Sequence, residues 1–191
     1  MGFDKVPSHL QTLAPVTSLD LKHLSFKLVT LPAILTGQRC QTIHKFDFNL
    51  MQKLPDRYIF AIGEKLKHIK PGKHQEPIEL VAYQDKRLCV VETMKQYISI
   101  TESFRDNSEP KLLISFCKPH RAVSKDTVTR WVKSTLANSG TNVTTLTTHR
   151  TWTASTSYSV HKAGISLANV LKAAGWSNAS TFAKLLVTAG L

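Results

Sequence analysis

Thr147-Thr-His-Arg-Thr-Trp-Thr-Ala-Ser-Thr-Ser157, followed by Gly175-Trp-Ser-Asn-Ala-Ser-Thr-Phe182, is the stretch on which the reading of this chain turns. The first part belongs to a predicted helix, Thr148 to Ala163, rich in Thr, Ser and Ala and stopped by Gly164. Its small-residue surface suits close approach by another backbone or a substrate, and His149 sits at its start. The second part follows a helix over Ser166 to Ala174 that stops at Gly175 and leads into another over Asn178 to Val187. Trp176 at that stop can pack its ring below and donate its indole N–H to a phosphate oxygen, although core packing alone would also explain it.

Working outward, Ser18-Leu-Asp-Leu21 opens a helical pattern continued by Leu24, Leu28 and Leu31, with Ser18 as the expected cap and Pro32 expected to kink or interrupt it. A short second helix is expected from near Arg39, after Thr36-Gly37. Strands are expected over Phe46–Leu50, Tyr58–Ile62 and Pro77–Val81, and helices over Leu88–Phe104 and Ser124–Leu136, the latter capped by Ser124. Lys111–Cys117 reads as a strand or extended segment, with Asp106–Pro110 and Pro119–Ala122 as exposed loops. The fold class is therefore mainly α with a small antiparallel β-sheet. Residues 1–17 are weakly patterned and are expected to be an N-terminal remnant or linker ahead of a domain over residues 18–191.

With 191 residues and 42% hydrophobic content, one domain with a substantial core is expected. Lys and Arg total 25 against 13 Asp and Glu, a formal net charge of +12 spread along the whole chain. Such a field favours nucleic acid as partner, while a merely soluble basic surface explains the charge as well. Cys40, Cys89 and Cys117 are widely spaced and form no paired-cysteine motif, so neither a disulfide framework nor a metal site is expected. No stretch reaches the ~20 apolar residues of a membrane span. No cofactor and no membrane partner are expected, and the compartment is nuclear or cytoplasmic.

A metal-free phosphodiester site needs cations at the non-bridging oxygens, an acid for the leaving oxygen, a base and a nucleophile. Arg39, Lys67 and His149 are eligible. Arg39 follows Leu35-Thr-Gly-Gln at a turn entering a helix, where a guanidinium can reach outward and bind a phosphate bidentately. A solvated arginine would look the same. Lys65, Lys67, Lys70 and Lys73 line an expected hairpin tip that serves either DNA backbone contact or solubility. A lone helical histidine such as His149 is more often structural.

Taken in order, Leu-Thr-Gly-Gln-Arg39, the basic hairpin, His149, Gly-Trp176 and Ser-Thr-Phe182 resemble the catalytic domain of tyrosine recombinases, the core of DNA breaking-and-rejoining enzymes. Gln41-Thr-Ile-His-Lys-Phe-Asp47 continues as in the members from DIRS-like retroelements, a class of transposable element. The resemblance runs from about Leu21 to the C-terminus. It implies Arg39 as first phosphate clamp and Lys67 as general acid, with Lys65 and Lys70 as neighbours able to take that role. It also implies His149 as assistant to the nucleophile's proton and Trp176 as hydrogen-bond donor to the scissile phosphate. Lys65, Lys67, Lys70, Lys73, Arg39 and Arg150 become the expected DNA contacts, and double-stranded DNA the expected partner, with an oligomer forming on it.

Two positions depart from the family pattern. Trp152 stands where the His-x-x-Arg motif has its second arginine, and Leu186 where the nucleophilic tyrosine is expected. Arg150 does not substitute, because positions one and three beyond His149 lie about 200° apart around a helix. Tyr158, the last tyrosine, is about 13 Å along the helix from His149 and is expected to pack. The resemblance thus implies a DNA-binding recombinase-like domain, impaired in catalysis when alone. The alternatives are an enzyme receiving its tyrosine from another subunit, and a protein-interaction domain with incidental charge. The DNA-clamping domain usual in the family has no expected counterpart before Leu21.

Overall fold

The computed structural model describes residues 5–63, 76–105 and 109–141. Its centre is helix α2 (Leu21–Thr36), in which every residue from Leu24 to Ala33 is buried. A helix buried all round has no face left in water, so neighbours must cover it on several sides. Helices α4 (Val90–Thr101) and α5 (Lys125–Asn138) both pack against it.

The start of α2 differs from the expectation. Ser18 belongs to a 3-10 turn, Val16–Ser18, and donates to the Pro15 carbonyl at 2.9 Å. Asp20 is the cap instead, accepting from the His23 N–H at 2.8 Å. Pro32 does not end the helix, which continues to Thr36, where Gly37 in the left-handed region (φ 64°) stops it.

Ahead of α2, Lys5–Thr12 forms a helix, α1, within the weakly patterned N-terminal stretch. It is short, and Pro7 falls in its first turn, where the missing N–H costs no helical bond. Val6 and Leu10 are buried. The fully buried Lys27 of α2 donates its ammonium to the carbonyls of Leu10 and Leu13, tying down the C-terminal end of α1. Gln11 donates to Asp85 at 3.0 Å, and Lys5 reaches the Gly140 carbonyl at 3.4 Å.

The sheet is antiparallel in the order β1 (Met51–Lys53), β2 (Arg57–Phe60), β3 (Ile78–Val81). Met51 pairs with Phe60 and Phe60 with Ile78, so Tyr58, Phe60, Ile78 and Leu80 face the core. The expected strand over Phe46–Leu50 does not form as such. Asp47 makes an isolated bridge with Lys111, and its carboxylate accepts from the Asn49 N–H at 2.9 Å, which folds Phe48–Leu50 into a 3-10 turn. Phe46 still enters the core, stacked on Phe60 at 4.2 Å.

Helix α4 is flanked by 3-10 turns at Lys86–Leu88 and Glu102–Phe104, which explains why periodicity extends beyond its ends. The segment after it is extended and held at both ends. Arg105 donates to the Lys111 carbonyl at 2.8 Å, and Ile114 bridges Ala122. Ser124 caps α5 as expected, accepting from the Thr127 N–H at 3.2 Å. The expected helices over Thr148–Ala163, Ser166–Ala174 and Asn178–Val187 lie outside the described residues. Among the described residues no helix is long and apolar enough to cross a membrane.

Candidate nucleic-acid interface

Arg39 is positioned by the stop of one helix and the start of the next. Gly37 turns the chain, Gln38 is buried, and Arg39, with φ −72° and ψ 151°, is the N-cap residue of the four-residue helix α3 (Cys40–Ile43). Its carbonyl accepts from the N–H groups of Thr42 and Ile43 at 2.8 and 3.1 Å, fixing the backbone while leaving the side chain to point elsewhere. The side chain is half-buried, and no described group bonds to its guanidinium. A planar cation held at a surface without a counter-ion presents its donors to an oxyanion.

α5 brings a second cation to this seam. Burial pushes the Cys40 thiol pKa up, while a hydrogen bond from Thr129 and the charge of Lys133 act against it, so the charge of an α5 lysine is felt at the residue beside Arg39. His44 fixes the other end of α3 through a 3.0 Å contact between Nε2 and the Val123 carbonyl.

The remaining sequence candidates lie outside the described residues. Lys65, Lys67, Lys70 and Lys73 fall in residues 64–75, and His149, Arg150, Trp152, Trp176 and Leu186 in residues 142–191. Arg39 alone of the set is placed. Among the described residues no group of three or more His, Cys, Asp or Glu could hold a metal ion.

A second basic feature escaped the sequence reading. A cavity of about 500 Å³ opens between α2, the loop after Ile114 and α5, with Lys118, Arg121 and Arg130 among its lining residues. The only sequence signals were an exposed-looking loop at Pro119–Ala122 and a cap at Ser124, and neither carries the three-dimensional neighbourhood.

No family model and no curated protein matches the sequence. Solved structures do match. The XerA recombinase superposes with a TM-score of 0.64 at 13% identity, over 95% of this chain and 57% of its own. The fold is that of the tyrosine recombinases. A post-cleavage complex of the XerH site-specific recombinase on a palindromic difH substrate gives 0.66 at 14% identity, over 98% of this chain and 49% of its own. A lambda integrase dimer bound to a COC′ core site gives 0.57 at 16% identity, over 97% and 58%. At such identities the likeness is one of architecture, and the chain spans about half the length of these recombinases. The mainly helical architecture with its small antiparallel sheet, expected from the sequence, agrees with that assignment.

Proposed function

We propose that the chain is a duplex-DNA-binding domain of tyrosine recombinase type, related to DNA recombination and integration and derived from a DIRS-like transposable element. The observation that carries the proposal is the Arg39 guanidinium, without a bonding partner among the described residues, at the Gly37 turn of a recombinase fold in a chain of net charge +12. The structures it resembles support a DNA partner and assembly on DNA, since XerH is bound to its difH substrate and lambda integrase is a dimer on a COC′ core site.

In this reading Arg39 holds the scissile phosphate and Trp176 donates to it. Lys67, or its neighbours Lys65 or Lys70, protonates the leaving 5′ oxygen, and His149 accepts the nucleophile's proton. Lys65, Lys67, Lys70, Lys73 and Arg150 bind the backbone. The covalent step would form a phosphorus–oxygen bond to a tyrosine while the bond to the 5′ oxygen breaks. Leu186 supplies no such oxygen, and Trp152 leaves the developing charge with one arginine instead of two, so the chain by itself binds DNA without cleaving it. A tyrosine donated by a second subunit is the other reading.

A gel-shift salt series tests the binding. Affinity should fall steeply with salt, and Arg39→Ala should flatten the log–log slope by about 0.9. No duplex binding even at low salt would overturn the proposal in favour of a protein-interaction domain.

A further inference from the structure

The cavity beside α5 has a floor and a rim of different chemistry. Its floor is three rings in mutual contact: Phe26 lies 6.0 Å from Phe116 and 6.1 Å from Trp131, and Phe116 lies 5.4 Å from Trp131. Phe26 and Trp131 are buried and Phe116 is half-buried, so Phe116 is the ring left partly open. Its rim carries Lys118, Arg121 and Arg130, and no carboxylate of the described residues lines it. Lys118 and Arg121 form no ion pair among the described residues, and the Arg130 guanidinium donates to the Thr127 hydroxyl at 3.2 Å, with no ion pair among them either. Lys22, which is not among the lining residues, lies 5.9 Å from the Phe26 ring centre. The nearest acid in sequence, Asp126, is exposed and paired with Lys125 at 3.4 Å. Trp131 is 4% exposed, and its indole N–H has no partner among the described residues.

The rim is built rather than incidental. Ser115 N–H donates to the Arg121 carbonyl at 2.8 Å, and Val123 N–H to the Leu113 carbonyl at 3.1 Å, closing the loop that bears Lys118 and Arg121. His120 adopts a left-handed φ of 55°, contacts the Ser115 carbonyl through Nδ1 at 2.9 Å, and stacks on Phe104 at 4.5 Å. On α5, Thr127, Arg130, Trp131 and Ser134 share the stripe facing the cavity, whereas Thr129 and Lys133 face Cys40. The cavity is thus separate from the seam at Arg39.

We propose that this cavity takes one unpaired nucleotide of a single-stranded nucleic acid, its phosphate held by Lys118, Arg121 and Arg130 and its base laid against Phe116. Its volume of about 500 Å³ falls within the ~300–1,000 Å³ of small-molecule sites, far more than one phosphate group fills. An aromatic floor under a ring of cations is of no use to a duplex, whose bases are stacked inside the helix. A base outside the stack offers a π-face to the ring and a phosphate to the rim at once. The inference goes beyond duplex binding and does not depend on Arg39.

Fluorescence anisotropy with a labelled oligothymidylate and a duplex of equal length tests it. Phe116→Leu should weaken single-strand binding by about fivefold or more and leave duplex binding within about twofold, consistent with loss of one base-stacking contact. A local readout comes from Cys117, which is exposed and lines the cavity, while Cys40 and Cys89 are buried. Saturating oligothymidylate should slow Cys117 alkylation in the unaltered protein, and thymidine, which lacks the phosphate, should not. Equal losses for single strand and duplex would reduce the cavity to an ordinary backbone contact and overturn the inference while leaving duplex binding intact. Unchanged alkylation would overturn it too, and decides the matter should Phe116→Leu fail to fold.

Discussion

Tyr97 and Arg39 mark the two ends of what a single side chain does in this molecule. The Tyr97 hydroxyl, fully buried, accepts from the Ile114 N–H at 3.0 Å and donates to the Ile114 carbonyl at 3.3 Å. Tyr97→Phe strands both backbone groups away from water and should cost about 1–3 kcal/mol in urea-induced unfolding. Arg39 has no bonding partner in the described fold, so Arg39→Ala should leave stability within about 0.5 kcal/mol and change only the salt response of DNA binding. The same contrast governs chemistry at the positions read from sequence. The unaltered chain should give no covalent adduct on a nicked DNA substrate in a denaturing gel. Leu186→Tyr adds a nucleophile without charge stabilisation and Trp152→Arg the reverse, so the double substitution should exceed the sum of the singles. An adduct from the unaltered chain would show that a nucleophile other than a tyrosine at position 186 is at work.

Helix α1 is held by a buried lysine, and that gives it a pH dependence. Burial lowers the Lys27 pKa from 10.5 to about 8, with the Asp85 charge partly opposing the shift. Between those values the unfolded chain holds a proton that the folded chain has released, so stability rises with pH across that window; below about 8 the burial penalty is present in full. Lys27→Met removes the donor to the Leu10 and Leu13 carbonyls but also the burial penalty of the charge, so at pH 7 its net cost should fall below the ~1–3 kcal/mol of a buried group left unpaired. Its unfolding free energy should also lack the Lys27-dependent rise between pH 8 and 10, which denaturant titrations of both proteins at each pH would reveal. α1 was not legible in the sequence because its stability comes from a long-range bond and two buried side chains, not from periodicity. α2 and α5 were legible, since long apolar patterns and a capping serine speak locally, but Asp20 displaced Ser18 because the chain enters α2 through its own 3-10 turn. Phe46–Leu50 alternates like a strand, yet Asp47 bonds its own backbone and bends it. In the candidate site the turn at Gly37 and the helix start at Arg39 could be read from Thr-Gly-Gln-Arg, whereas the cavity could not, because its rings and cations come from three separate stretches of chain.

At the scale of the molecule, 25 Lys and Arg stand against 13 Asp and Glu, and if the folded chain binds duplex DNA as proposed, folding and binding are thermodynamically linked. A duplex supplied at a hundred times its dissociation constant should raise the unfolding free energy by about 2.7 kcal/mol, provided that the unfolded chain does not bind it. A melting series at low and high salt should show that gain shrink as phosphate contacts are screened. The bond from Lys5 to the Gly140 carbonyl, and the packing of α1 against α5, join the two ends of the described chain. On the ribosome the consequence is a delay. At roughly 5–20 residues per second, α1 must wait on the order of 7–27 s before the helix that completes its seat has been made. Until then α1 can be held only by the Lys27 bonds to the Leu10 and Leu13 carbonyls and by the Lys86–Leu88 turn, and its last neighbour arrives after most of the described chain.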